Sequence, residues 1–365
     1  MPVSPPATGA NPADDKLIGI ELLRFASAVA VLVFHYQHFA FVGGQQTNFV
    51  ATAQPFYPVL SLFYNYGFYG VQVFWCISGF IFFWKYGRDI PRLKVSGAKF
   101  FILRFSRLYP LHLATLLLVA ALQMVYFVRH GAYFVYQYND AYHFLLQLFM
   151  TSNWVKPADE SFNGPIWSIS IEVLVYLIFY LGLRYISASV VTLAIMMLVP
   201  TAILFFKVST HPLFTCLMFF YLGCLTAVCY ARVKDTARQR AIATGIALAA
   251  IAAVTALQLF ITVKPIYFLL VFSPALILLC VMHIPATSHT SGILVAAGSV
   301  TYSSYLLHVP IQLATVTLAS YTHLSIPIYS AGFFLSYIAG TLLLSFYCYV
   351  YFEMPAQSYL RRRFR

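Results

Sequence analysis

Few residues of this chain can do acid–base or anion-binding chemistry, and most of them lie inside long apolar runs. The first run carries Glu21, Arg24, His35 and His38. Arg24 and His35 are eleven residues apart, close to three helical turns, so they share a face ~16 Å apart along the axis. Histidine suits general-base work near neutral pH, and His35 is placed for that role or for a packing role. Glu21 precedes Arg24 by one turn and either neutralises it as an i,i+3 pair or leaves the guanidinium free for a ligand. Arg104 and Arg107 repeat the i,i+3 spacing. Two guanidinium groups on one face form an anion clamp suited to phosphate, and equally a headgroup anchor.

Further along, Trp167-Ser168-Ile169-Ser170-Ile171-Glu172 places a carboxylate well inside an apolar run. Such a group needs a partner, and Ser168 is one turn away. Tyr302, Tyr305 and His308 form an i,i+3,i+6 row followed by Pro310, read either as a polar ridge or as aromatic packing. Ser78-Gly79 supplies small residues for close helix approach, and Glu353 offers a counter-charge to Arg24, Arg104 or Arg107. Arg24, Arg104, Arg107 and Glu353 fall at one end of their runs, whereas His35, Trp167, Glu172 and His308 fall at the middle or the other end. A basic mouth beneath a neutral layer suits a long donor with phosphates at one end and a reactive group on an extended arm. Coenzyme A thioesters have that shape.

The elements that position these residues follow from composition. Of 365 residues only 9% are charged and 61% are hydrophobic, and the mean hydropathy is +0.80. A soluble globule of this size lacks the polar surface it would need. The expected fold class is all-α, a polytopic membrane protein of about ten transmembrane helices over 17–42, 67–86, 101–128, 166–184, 189–207, 211–231, 241–262, 266–283, 292–319 and 328–352. Of the 22 Lys and Arg residues, all but Arg129, Lys156, Lys207 and Lys264 fall on the side of the N-terminus. That asymmetry predicts both termini in the cytoplasm and accounts for the net charge of +12 without a nucleic-acid partner. The six cysteines include no C-x-x-C pair and read as buried hydrophobes, with no metal or disulfide framework. Residues 1–16 read as a disordered tail, 17–355 as one transmembrane domain and 356–365 as a basic cytoplasmic tail. The expected outer loops 43–66 and 129–165 combine aromatics with amides, among them Tyr57, Tyr64, Tyr133, Tyr136, Tyr138, Asn139, Asn153 and Trp154. That mixture fits sugar rings or an interfacial aromatic belt.

Taken in order, these motifs resemble the acyltransferase 3 family of integral membrane acyltransferases over nearly the whole chain after Lys16. Arg24 and His35 match its first-helix Arg-x10-His pattern, and Phe74 to Phe80 its F-x-x-S-G-F segment. Arg104 and Arg107 match R-x-x-R, Trp167 to Glu172 resembles W-S-L-S-x-E, Tyr302 to Pro310 resembles Y-S-x-Y-L-x-H-x-P, and Glu353 to Pro355 matches E-x-P. Val173 stands where many members carry a second acidic residue, so Glu172 is expected to act alone. The family's fused esterase-like domain is not expected after the last helix. The resemblance implies transfer of an acyl group, usually acetyl, from a cytoplasmic acyl-CoA to a hydroxyl of a cell-surface or exported glycan, free or lipid-linked. The expected setting is the bacterial inner membrane, with membrane lipids around it. It implies His35 as the catalytic histidine, oriented by Glu172 or a tyrosine hydroxyl, with Arg24 steadying negative charge. Arg24, Arg104, Arg107, Trp75, Ser78 and Tyr302 are then expected on the acetyl-CoA side, and Trp167, Ser168, Ser170, Tyr305 and His308 on the acceptor side. Two other classes stay open on the residues alone. One is a proton-coupled transporter or flippase using Glu172 and His308, for which an arginine clamp is unnecessary. The other is a non-catalytic receptor, in which His35 would tolerate substitution.

Overall fold

The computed structural model describes residues 17–154, 160–284 and 288–364. In chain order its helices are α1 (Ile18–His35), α2 (Tyr57–Tyr66), α3 (Gly70–Tyr86), α4 (Gly97–His130), α5 (Ala141–Leu148), α6 (Ile166–Leu181) and α7 (Val190–Phe205). There follow α8 (Pro212–Val233), α9 (Ala237–Leu257), α10 (Pro265–His283), α11 (Ser288–Ser299), α12 (Thr301–Thr322), α13 (Ala331–Cys348) and α14 (Met354–Arg363). A two-residue hairpin pairs Phe41–Val42 with Gln45–Gln46. Gly43 and Gly44 turn it with φ of 55° and 78°, the left-handed pair that a tight hairpin requires.

Among the described residues eight helical stretches are long and apolar enough to cross a membrane, nine if α11 and α12 count as one broken span bent by 46°. The difference from ten spans has identifiable causes. The expected span 189–207 forms the 16-residue α7, ~24 Å long and short of a ~30 Å hydrocarbon core. The expected span 292–319 breaks at Val300. The last ten residues of the expected loop 43–66 are instead α2, which runs into α3 as one apolar stretch, Tyr57–Tyr86. The expected C-terminal tail is helical: Pro355 sits in the first turn of α14, and Arg361, Arg362 and Arg363 occupy its last turn, where cations suit the helix dipole. The expected tail 1–16 lies outside the described residues, as does Lys156.

Helices in lipid gain nothing from excluding water, so close packing has to hold them. The tightest pair is α3 and α8. A Cβ at Gly79 would collide with the Phe220 carbonyl, and one at Gly223 with the Cys76 carbonyl. Around this seam lies the larger aromatic core, with Trp75, Phe80, Phe82, Phe179 and Phe220 buried and Phe82 stacked on Tyr176 at 4.3 Å. A second core gathers Tyr36, Phe39, Tyr64, Phe334 and Tyr337. Helix α1 runs through the middle, touching α2, α3, α10, α11 and α12, so Arg24 and His35 both face the interior of the bundle.

Candidate active site

A cavity of about 130 Å³ opens between α1, α3, α4, α6 and α12. Its lining includes Arg24, Trp75, Ser78, Arg104, Arg107, Ser168, Glu172, Tyr176, Thr301, Tyr302 and Tyr305. Several of the charged and polar groups on its wall are held by other side chains. Arg24 donates from Nη1 to Glu21 Oε2 at 2.9 Å and from Nη2 to Thr301 Oγ1 at 3.0 Å, so the i,i+3 pair forms and half of the guanidinium is used elsewhere. Arg104 donates to the Tyr86 hydroxyl at 3.1 Å and lies 4.7 Å over the Phe82 ring, a cation–π seat that tolerates low polarity. Tyr176 donates to Glu172 Oε1 at 2.6 Å. A phenol has one proton, so the 3.3 Å contact between Ser78 and Tyr176 must have Ser78 as donor. Tyr302 donates to the Leu108 carbonyl at 2.6 Å, and the Ser168 and Tyr305 hydroxyls meet at 2.7 Å.

His35 lies outside that lining, in a cluster of three imidazoles. Its ring centroid is 4.9 Å from that of His38 and 4.9 Å from that of His308. His308 is in turn 6.0 Å from the Tyr305 ring, so Tyr305 belongs to both the cluster and the cavity wall. The local cause is the end of α1: the helix tightens into a 3₁₀ turn, Tyr36–Ala40, which swings His38 round beside His35. Each ring is fixed through Nδ1. His35 Nδ1 meets the Val31 carbonyl at 2.9 Å, His308 Nδ1 meets the Ser304 carbonyl at 3.2 Å, and His38 Nδ1 meets Gln312 Oε1 at 3.3 Å. Gln312 Nε2 donates to the His35 carbonyl at 2.8 Å, which fixes the amide orientation. Carbonyl oxygens only accept, so each Nδ1 carries the proton and each Nε2 keeps a bare lone pair. The buried His308 Nε2 has no partner among the described residues.

Four expectations change here. Glu172 bonds Tyr176, and the group that orients His35 is the Val31 carbonyl of its own helix. Ser170 is fully buried, but its hydroxyl accepts from Asn153 N–H and its carbonyl from Trp154 Nε1. It ties down the preceding loop and does not face the cavity. Trp167 stands behind the wall, stacked 5.9 Å from Phe68 and edge-on to Trp75 at 5.7 Å. Glu353, at the end of a π-helical turn (Tyr349–Glu353), accepts from Ser303 and makes no direct ion pair with an arginine among the described residues.

Sequence reasoning passed over Tyr176, Thr301, Gln312 and Asn163. For Asn163 there was a signal. Pro310 has no N–H, which leaves the Leu306 carbonyl without its helical donor, and Asn163 Nδ2 fills that place at 3.0 Å. Asn163 lies in the stretch 160–165 that enters α6, where Gly164 has no room for a Cβ against the Tyr136 ring. Tyr136 also meets His38 edge-on at 5.9 Å. Farther out, Tyr133 and Asn139 line a second, more open cavity of about 430 Å³ with Gln123 and Asp140. Asp140 caps α5, its Oδ1 accepting from the His143 N–H at 2.9 Å and from His143 Nδ1 at 2.8 Å. These bonds hold its carboxyl below the usual aspartate range. Among the described residues no three His, Cys, Asp or Glu side chains are arranged to hold a metal ion.

The family model for the acyltransferase 3 group, described as an acyltransferase domain, matches residues 17–350. A curated relative, acyltransferase MdmB of Streptomyces mycarofaciens, is 30% identical over 171 residues, which is 46% of this chain and 40% of that relative. The chain therefore spans less than half the length of the curated relative it matches. No solved structure matches. A family match over nearly the whole chain, on a bundle of apolar helices long enough to cross a membrane several times, makes this protein a member of the acyltransferase 3 family.

Proposed function

We propose that the protein is an O-acetyltransferase of the bacterial inner membrane. It moves acetyl from cytoplasmic acetyl-CoA to a hydroxyl of a cell-surface or exported glycan. The observation that carries this reading is the His35 imidazole, whose Nδ1 is spent on the Val31 carbonyl and whose Nε2 is left basic. It lies one ring away from His308, and His308 adjoins the wall of an arginine-bearing cavity.

A sugar hydroxyl is a poor nucleophile at neutral pH, so a base must take its proton as it attacks. His35 Nε2 takes that proton while the hydroxyl oxygen bonds to the thioester carbonyl carbon. The carbon–sulfur bond then breaks and the thiolate leaves, recovering a proton from the imidazolium. Arg24 steadies negative charge at the inner end of the path. Arg104 and Arg107 hold the donor phosphates, with Trp75, Ser78 and Tyr302 along its arm. Ser168, Tyr305 and the bare His308 Nε2 face the acceptor, whose hydroxyls supply the donors that a lone pair needs, and Trp167 backs that wall against Phe68 and Trp75. The likeness to a protein named an acyltransferase supports the group transferred in its coarse class.

The test is calorimetric binding of acetyl-CoA, CoA and acetate to the detergent-purified protein. Acetyl-CoA is expected to bind wild type, to be lost in Arg104→Ala/Arg107→Ala, and to be kept by His35→Ala. Folded wild type that binds no coenzyme A thioester removes the donor assignment, and proton-coupled glycan flux in vesicles becomes the next measurement.

A further inference from the structure

The C-terminal helix places a fourth guanidinium beside the site. Arg361 on α14 donates from Nε to Ser106 Oγ at 3.3 Å, and Ser106 sits between Arg104 and Arg107 in α4. The Ser106 hydroxyl is buried and donates its own proton to the Leu103 carbonyl at 3.3 Å. Arg361 thus takes its lone pair, and the bond fixes the guanidinium through its inner nitrogen. The two Nη groups, with four of the five N–H bonds, have no protein acceptor among the described residues. No carboxylate lies within ion-pair distance of Arg361, Arg104 or Arg107 among the described residues, and the charges that Arg361 feels most are Arg104 and Arg107 themselves. Gathering like charges at a partly desolvated surface is unfavourable unless an anion joins them. Arg104 and Arg107 line the cavity, whereas Arg361 and the Ser106 it bonds do not, so Arg361 approaches the two arginines from outside the lining, across α4. Arg361 is half-buried, whereas its neighbours Arg362 and Arg363 are exposed.

We infer that Arg361 closes a three-arginine mouth with Arg104 and Arg107, and that it binds a phosphate at the nucleotide end of the acyl donor. This rests on the acyl-CoA reading above. The two Nη groups suit bidentate phosphate recognition, and the role is binding, remote from the reacting carbonyl. A membrane phospholipid headgroup offers the same chemistry, and the experiment separates the two sources.

Affinity is measured in nanodiscs of zwitterionic lipid alone and of the same lipid with an anionic phospholipid, using acetyl-CoA and the phosphate-free acetyl-pantetheine. Arg361→Ala should weaken acetyl-CoA by roughly tenfold, the size of one charge-assisted bond, in both lipids, and leave acetyl-pantetheine unchanged. Arg361→Lys should recover part of the loss, and Arg362→Ala/Arg363→Ala should match wild type. Equal weakening of both ligands, no weakening, or weakening confined to the anionic lipid overturns the inference. If wild type itself binds acetyl-CoA no better than acetyl-pantetheine, the donor reading fails first, and the result is distinguishable from a failure at Arg361 alone.

Discussion

The arginine end and the histidine end bury polar groups in opposite ways. At the arginine end, side chains hold side chains: Arg24 is shared by Glu21 and Thr301, Arg104 rests on Phe82 and Tyr86, and Glu172 accepts a hydrogen bond from the Tyr176 hydroxyl. At the histidine end, no charged side chain bonds the rings among the described residues. Backbone carbonyls of α1 and α12 and one amide fix three imidazoles in a single tautomer. The first arrangement holds positive charge in place on the cavity wall. The second keeps a lone pair free, because a carbonyl spends the Nδ1 proton without offering a counter-charge that would favour the imidazolium.

The largest effect that would sharpen this division is at His35. His35→Ala should cut transfer by roughly 10²–10⁴-fold, the usual contribution of a general base, with acetyl-CoA affinity unchanged in the same preparation. A variant that transfers normally breaks the division. Next, Arg104→Ala/Arg107→Ala should raise the donor KM by about 100-fold, since each lost charge-assisted bond is worth about 1.5–3 kcal/mol, and should spare the acceptor KM in steady-state assays. A fall in kcat alone would move the arginines from binding into chemistry. Gln312→Leu unpairs the His35 carbonyl and frees His38 at once. It should lower kcat about tenfold, near the cost of one buried bond, with donor KM unmoved. Asn163→Leu should cost about 1–3 kcal/mol of stability by leaving the Leu306 carbonyl buried and unpaired, read as a lower thermal midpoint in detergent.

The smallest effect lies outside the bundle. Asp140 has a carboxyl held below its ordinary range by His143, so its cap on α5 is present at neutral pH and is lost as pH falls through that lowered value. Asp140→Ala should speed amide exchange in the first turn of α5 at pH 7, and the wild type should approach the variant in acid. Exchange that is the same in both at pH 7 would remove the cap from the account.

Most of the site was legible because its chemistry-bearing residues are anomalies in an apolar sequence. Arg24, Arg104, Arg107 and Glu172 stand out by type, and all four reach one cavity. Helical spacing also put Tyr305 and His308 on one ridge, which links the cavity to His35. What the sequence hid is who holds whom. Gln312 and Asn163 are ordinary amides until the turn after His35 and the proline in α12 bring carbonyls to them, and these partners are 277 and 143 residues away. Ser170 carried a motif position but serves the loop at Asn153, because its face of α6 is set by neighbours that periodicity does not name. The 46° break at Val300 was hidden because the apolar run on either side of it reads as one span.

The bond from Asn163 to Leu306 has a consequence for anyone who recombines such proteins. The segment entering α6 and the turn of α12 that carries His308 are fastened across 143 residues of chain. The tether exists only because Pro310 vacates a carbonyl. A chimera that imports residues 160–168 without residues 306–310 therefore leaves either a surplus amide or a stranded carbonyl, and the two stretches behave as one interchangeable part.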